Sequence, residues 1–208
     1  MRSRDKQRGA KEGVSLGVVL LLVLANLLFT EASIAAGSGA ALLASGCTGC
    51  HGYDGLSAGP ATPNIAHMNA GTFVQRMKDF KSGNRVATIM GRLAKGYSDD
   101  ELAVLGEYFS KRQLGHVVQP LDVALANKGR ALAQKYCASC HINDGKVDDG
   151  GPGILAGQWL TYLCYTIEDY QSGLVHVPKK MREGLDAIKN EAGKEGITSV
   201  LHFYASQE

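Results

Sequence analysis

Apolar positions along this 208-residue chain form one continuous block near the N-terminus and, behind it, several stretches with helical spacing. In "LDVALANKGRALAQKYC", residues 121–137, Leu125, Gly129, Leu132 and Tyr136 recur at steps of three and four and so share one helix face. "GSGAALLASGC", residues 37–47, reads as a shortened version of that helix. "SDDELAVLGEYFSKR", residues 98–112, opens with Ser98 and Glu101 in the order of a capping box and turns Leu102, Leu105, Tyr108 and Phe109 toward a core. "ITSVLHFYASQE" at the C-terminus repeats that role with Phe203 and Tyr204. Between these stretches, "RQLGHVVQPLD" contains Gly115 and Pro120 and has no helical face, which places a domain boundary there. The expected organisation is all-α, with compact units at residues 37–114 and 115–208.

The continuous block, "VSLGVVLLLVLANLLF", is sixteen residues long, follows the basic "MRSRDKQRGAKEG" and precedes small residues at Ser33 and Ala35. That order is a secretory signal peptide at residues 1–36, cut near Ala35 or Ala36, and it places the mature protein in the periplasm. The block falls short of the ~20 apolar residues of a membrane span, so membrane contact is expected only if the leader is retained. Losing the leader removes five basic and three acidic residues, leaving seventeen of each and a formal charge of zero. With charged residues at 20% and no run of one sign, no nucleic-acid surface is expected.

Chemistry enters with the cysteines. The chain reads "CTGCHGYDG" from Cys47 to Gly55 and "CASCHINDG" from Cys137 to Gly145, so C-x-x-C-H-x-x-D-G occurs twice, ninety residues apart. A C-x-x-C pair followed at once by His is the attachment sequence of c-type haem. Two thiols form thioethers to the macrocycle, and the adjacent imidazole reaches the iron from one face. Four thiolates holding structural zinc would leave His51 and His141 unexplained, and a thioredoxin-like dithiol needs a strand–helix–strand context that is missing. Two covalent haem c groups are therefore expected, held by Cys47 with Cys50 and by Cys137 with Cys140.

The repeat extends beyond the motif. Gly39 and Gly129 precede the first cysteines by eight residues, Leu42 and Leu132 by five, and "DFKSG" from Asp79 is matched by "DYQSG" from Asp169. Met90 and Met181 follow 39 and 40 residues after His51 and His141. Met thioether is the usual partner of His on a six-coordinate electron-transfer haem, so Met90 and Met181 are the expected distal ligands. Met77 and Met68 read as core filler, and His176, five residues before Met181, is a rival distal ligand that the repeat disfavours. Pro60 or Pro63, and Pro152, lie in loops suited to offering a carbonyl to the proximal imidazole N–H. A glycine on the first helix of each copy would allow it to cross closely over the aromatics of the last. The whole is read as two tandem class I cytochrome c domains related by a pseudo-twofold.

Cys164 lies opposite Val74 in the repeat and reads as a small buried side chain. "GPGILA", residues 151–156, matches a dinucleotide fingerprint by letter, but it follows a haem loop and has proline in the turn. No flavin or nicotinamide is expected on this chain, and no catalytic residues. Irons closed by two protein ligands transfer electrons and offer substrate no position, which argues against a dihaem peroxidase.

"DFKSGNRVATIMGRLAKGYSDDELAVLGEYF", "ILAGQW" and "HFYASQE" resemble the dihaem cytochrome subunit of flavocytochrome c sulfide dehydrogenase, a branch of the cytochrome c4-like class, across nearly all of residues 38–208. The resemblance implies a periplasmic partner, a larger FAD-containing flavoprotein in a heterodimer, where sulfide is oxidised toward sulfur or polysulfide. It also implies the axial pairs His51 with Met90 and His141 with Met181, and a soluble cytochrome or similar external acceptor. Two haems on one subunit would take the two electrons of a flavin one at a time. The competing expectation is a stand-alone cytochrome c4-like shuttle to a terminal oxidase.

Overall fold

The computed structural model describes residues 39–208, so the expected leader at 1–36 lies outside the described residues. The chain divides into Met1–Gly39 and a second unit, Ala40–Glu208, which holds everything below except Gly39, the first residue of the first helix. Its helices are α1 (39–51), α2 (Ala70–Ser82), α3 (Met90–Leu93), α4 (Asp99–Ser110), α5 (Val123–Tyr136), α6 (Ile142–Gly145), α7 (Leu160–Gln171) and α8 (Lys179–Ala205). No strand occurs among the described residues, only an isolated antiparallel bridge between Arg85 and Val175. No described helix is long and apolar enough to cross a membrane.

Local chemistry sets the helix ends. The Asn69 side chain accepts from the amides of Gly71 and Thr72 at the start of α2, and Asp122 caps α5 through Ala124 and Leu125. The capping box at α4 is complete, with Ser98 accepting from the Glu101 amide and Glu101 accepting from the Ser98 amide. The copies differ after Met90 and Met181. In the first, α3, a 3-10 turn and α4 follow one another. In the second, the corresponding chain is the single long α8, broken only at Gly193 (φ 65°, ψ −160°).

Each copy has its own core. Ala44, Phe73, Met77, Leu102, Leu105 and Phe109 form the first, and Leu132, Leu163, Ile188, Ile197, Phe203 and Tyr204 belong to the second. The close helix crossing expected of each copy is present only in the second, where a Cβ at Gly129 would run into the Ser199 and Val200 backbone and not into an aromatic ring. In the first copy Gly39 has nothing within 4 Å, so no such crossing is made there. The loops after the attachment motifs fold alike. The Gly55 carbonyl accepts from Ile65 and Ala66, and the Gly145 carbonyl accepts from Leu155 and Ala156. The next residue then binds the last helix, His67 N–H to Phe109 and Gly157 N–H to Tyr204.

That equivalence exposes a strained position. Gly157 has φ 65°, a left-handed conformation glycine adopts freely, and its counterpart His67 has φ 61° despite carrying a side chain. A β-carbon in that region costs about 1–2 kcal/mol, partly offset by the greater unfolded-state freedom of glycine. His67→Gly is therefore expected to stabilise the protein by about 0.5–1 kcal/mol, read as a higher midpoint in a thermal melt.

Polar contacts lock the copies together. The Gln158 side chain donates to the Asn64 carbonyl (2.7 Å) and accepts from the Asn64 amide (3.0 Å), while the Asn64 side chain donates to the Gly157 carbonyl (3.2 Å). The Trp159 indole donates to Ser57 Oγ (2.9 Å). Asn64 and Gln158 are buried, and removing either would strand polar backbone groups at about 1–3 kcal/mol each. The two attachment sites thus keep a fixed mutual orientation.

Candidate haem centres

Cys47, Cys50 and His51 fall on the last turn of α1 at positions i, i+3 and i+4, which one helix face presents together. Cys47 is half-buried, Cys50 is exposed and His51 is only 8% exposed. Burial pushes the Cys47 thiol up in pKa, against the pull of its hydrogen bond with Tyr97. His51 Nδ1–H donates to the Pro63 carbonyl (2.8 Å), so Pro63 and not Pro60 is the proline that holds this ring. The bond protonates Nδ1 and leaves the Nε2 lone pair free, while burial depresses the imidazole pKa and keeps it neutral. Met90 starts α3 and packs, half-buried, on the same core as Cys47.

In the second copy Cys137 ends α5, Cys140 is exposed and His141 is 9% exposed. Burial raises the Cys137 thiol to about 11. His141 is lowered to about 4, first by burial and then by the neighbouring Arg76 cation. The chain leaves His141 through left-handed turns at Asn143, Asp144 and Gly145. Met181 lies in the first turn of α8 and packs, half-buried, on the core that Cys137 joins. The proline expectation fails here. The Pro152 carbonyl accepts from Arg76 Nη2, which reaches it from α2 of the first copy, and His141 Nδ1 is buried with no partner.

The remaining sequence candidates settle into plainer roles. Met77 is buried in the first core and Met68 packs against it. His176 is exposed on the wall of a cavity of about 520 Å³ beside Val175, Val177 and Arg182. Cys164 is half-buried against the second core, and burial raises its pKa. Residues 151–156 form no strand-to-helix turn.

The donor chemistry fits haem c. Each centre presents two unpaired thiols and a buried imidazole held in its neutral form, beside an apolar core with a half-buried thioether. Among the described residues no three His, Cys, Asp or Glu side chains converge as a metal-ion site. Arg76, Asn64, Asp148 and Gln158 escaped the sequence reading, because the ninety-residue offset pairs them with dissimilar residues and so gave no signal.

The cytochrome c family model matches residues 36–112. Cytochrome c4 of Pseudomonas aeruginosa is 31% identical over 167 residues, covering 76% of this chain and 81% of that protein. The cytochrome subunit of sulfide dehydrogenase from Chlorobaculum tepidum is 41% identical over 68 residues, 33% of this chain and 61% of that protein. That match is far shorter than the near-complete likeness expected over residues 38–208. Among solved structures, reduced recombinant cytochrome c4 from Pseudomonas stutzeri superposes with a TM-score of 0.69 at 23% identity, over 82% of this chain and 98% of that one. Its fold accounts for both copies in tandem.

Proposed function

The chain belongs to the cytochrome c4 family of dihaem c-type electron carriers, and we propose that it serves as the electron-accepting subunit of a FAD-containing sulfide dehydrogenase in the periplasm. The observation that carries this reading is structural. Two equivalent thiol and imidazole sites belong to one unit whose halves are fixed by the buried Asn64–Gln158 pair, so one subunit can accept both electrons of a two-electron donor. The choice of sulfide as the donor's substrate is supported by the 41% match, on a protein of that function.

Each haem, when bound, supplies a one-electron iron couple. Cys47, Cys50, Cys137 and Cys140 hold the macrocycles through thioethers. The proposed axial pairs are His51 with Met90 and His141 with Met181, and the proposed domains are residues 37–114 and 115–208. Met90 and Met181 pack, half-buried, on the cores that Cys47 and Cys137 also join, which supports their proposed role. Export by the leader and delivery to a soluble cytochrome complete the proposal.

A second reading, a cytochrome c4-like shuttle with no stable flavoprotein, is favoured by the longer c4 match. Purification of the native protein from a periplasmic extract separates the two. A co-eluting flavin-containing chain and haem bands that reduce on adding sulfide are the expected result. A cytochrome that elutes alone and stays oxidised in sulfide overturns the sulfide assignment in favour of the shuttle.

A further inference from the structure

The two copies present different charge around their methionines. In the first, the stretch from Phe80 to Ser98 surrounds Met90 with Lys81, Arg85, Arg92 and Lys95 and contains no Asp or Glu. These four cations line one cavity of about 330 Å³, and no carboxylate lines it with them. Two of the four are tethered. Lys81 Nζ donates to the Tyr97 carbonyl (2.7 Å), and the half-buried Arg85 lies over the Phe80 ring, 5.7 Å from its centroid. Arg92 and Lys95 are exposed, and no carboxylate among the described residues pairs with either. Asp99, at the start of α4, is taken by Lys78 (2.9 Å) and Lys81 (3.8 Å), and Glu101 accepts from the Ser98 amide (2.7 Å). The second copy reverses the sign at matching positions. Arg92 and Lys95 stand two and five residues after Met90, and Glu183 and Asp186 stand two and five after Met181. Glu183 lies 3.7 Å from Lys179, and Asp186 lines the corresponding cavity of about 520 Å³ together with Arg182 and Lys189. Cations and acids therefore alternate on that face.

We propose that the first copy carries the docking face for an acidic redox protein, with Arg92 and Lys95 as the charges that steer it. The inference rests on the reading of the chain as a dihaem carrier and is independent of the sulfide assignment. Two arguments select an acidic partner. Arg92 and Lys95 have no internal carboxylate to give up, so meeting one on a partner breaks no existing pair. Charges of one sign on a common face also add, and they attract an opposite surface over about 8 Å at physiological salt, raising association rates by roughly 10- to 10³-fold. Alternating charges, as around Met181, largely cancel at that range. Once docked, the partner and the first iron exchange one electron. The reduced member of the pair is oxidised by one electron as the other is reduced, and no covalent bond forms or breaks.

The test is stopped-flow reduction of the oxidised holoprotein, followed by haem absorption, with two donors of opposite charge: flavodoxin hydroquinone, an acidic protein, and hexaammineruthenium(II), a cation. The double variant Arg92→Glu with Lys95→Asp gives the first face the residues of the second copy. At low salt it is expected to slow reduction by flavodoxin about tenfold, to speed reduction by the ruthenium cation, and to match wild type at high salt. The neutral pair Arg92→Gln with Lys95→Gln slows flavodoxin less, and it serves as the readout if charge reversal costs haem. Lys179→Glu with Lys180→Glu, on the second copy, is expected to change the flavodoxin rate by less than about threefold. An unchanged flavodoxin rate in both first-copy variants, or a larger loss in the second-copy variant, overturns the docking face. Loss of haem from both first-copy variants also overturns it, because the two side chains then serve the haem's own carboxylates. A wild type whose haems are not low-spin overturns the carrier reading and the docking face with it.

Discussion

Met90→Ala lowers the midpoint potential of the first haem by on the order of 0.1 V or more, within the ~0.8 V range that axial ligation spans, and leaves the second nearly unchanged. A thioether is a soft ligand that favours ferrous iron, and alanine leaves water or hydroxide as the nearest donor, which favours ferric iron. Met90 is half-buried at the start of α3 on the core that Cys47 shares, so truncation opens the distal side without removing a central core residue. If the proposed sulfide-oxidising partner supplies the electrons, reduction of that haem by sulfide slows accordingly. Met68→Ala, which trims a side chain packed on the same cluster, shifts stability and not potential. A first-haem midpoint unmoved by Met90→Ala removes Met90 from the iron.

Gly129→Ala destabilises the second copy by about 3 kcal/mol or more. On intrinsic grounds the change should help, since alanine favours a helix by about 1 kcal/mol over glycine. Packing reverses the sign. The added methyl would sit 2.0 Å from the Ser199 carbonyl oxygen and 2.8 Å from the Val200 nitrogen, and backbone atoms cannot swing aside as a flexible side chain can. α5 must therefore lift from α8, opening the core around Leu132, Ile197 and Val200. Thermal denaturation followed by circular dichroism is expected to show a midpoint lower by roughly 10 °C, from about 2–4 °C per kcal/mol at this chain length. A midpoint at or above wild type would contradict the close crossing.

What the sequence made legible was the part carried by local chemistry and repetition. Ser98 and Glu101 announce a capping box because both partners are three residues apart, and Gly129 is set on the helix face with Leu125 and Leu132 by spacing alone. The paired attachment motifs are contiguous, so an offset of ninety finds them. The offset stops working where the copies diverge. Gly55 and Gly145 are ninety apart, but their covering rings, Phe109 and Tyr204, are ninety-five apart, because the second copy lengthens the chain around Gly193 into one broken helix. Pro63 could be chosen over Pro60 only when the His51 bond was seen.

The interface was illegible for a different reason. A pseudo-twofold brings unlike residues face to face, so Asn64 meets Gln158, Thr72 meets Asp148 and Arg76 meets Pro152, each separated by 76 residues or more. No periodicity links such pairs, and their polarity resembles any solvated surface until burial is known. The consequence for function is an asymmetry the repeat conceals. Two motifs that read alike hold imidazoles with and without a carbonyl partner.

In the proposed carrier both irons are closed by His and Met and have no position for substrate. The decisive measurement is a count of haem per chain together with the spin state of the purified holoprotein by absorption and electron paramagnetic resonance, oxidised and reduced. Two covalent haems are expected, both low-spin and six-coordinate in both oxidation states. A high-spin haem in either state would reveal an open iron, as a dihaem peroxidase requires, and would contradict the carrier assignment.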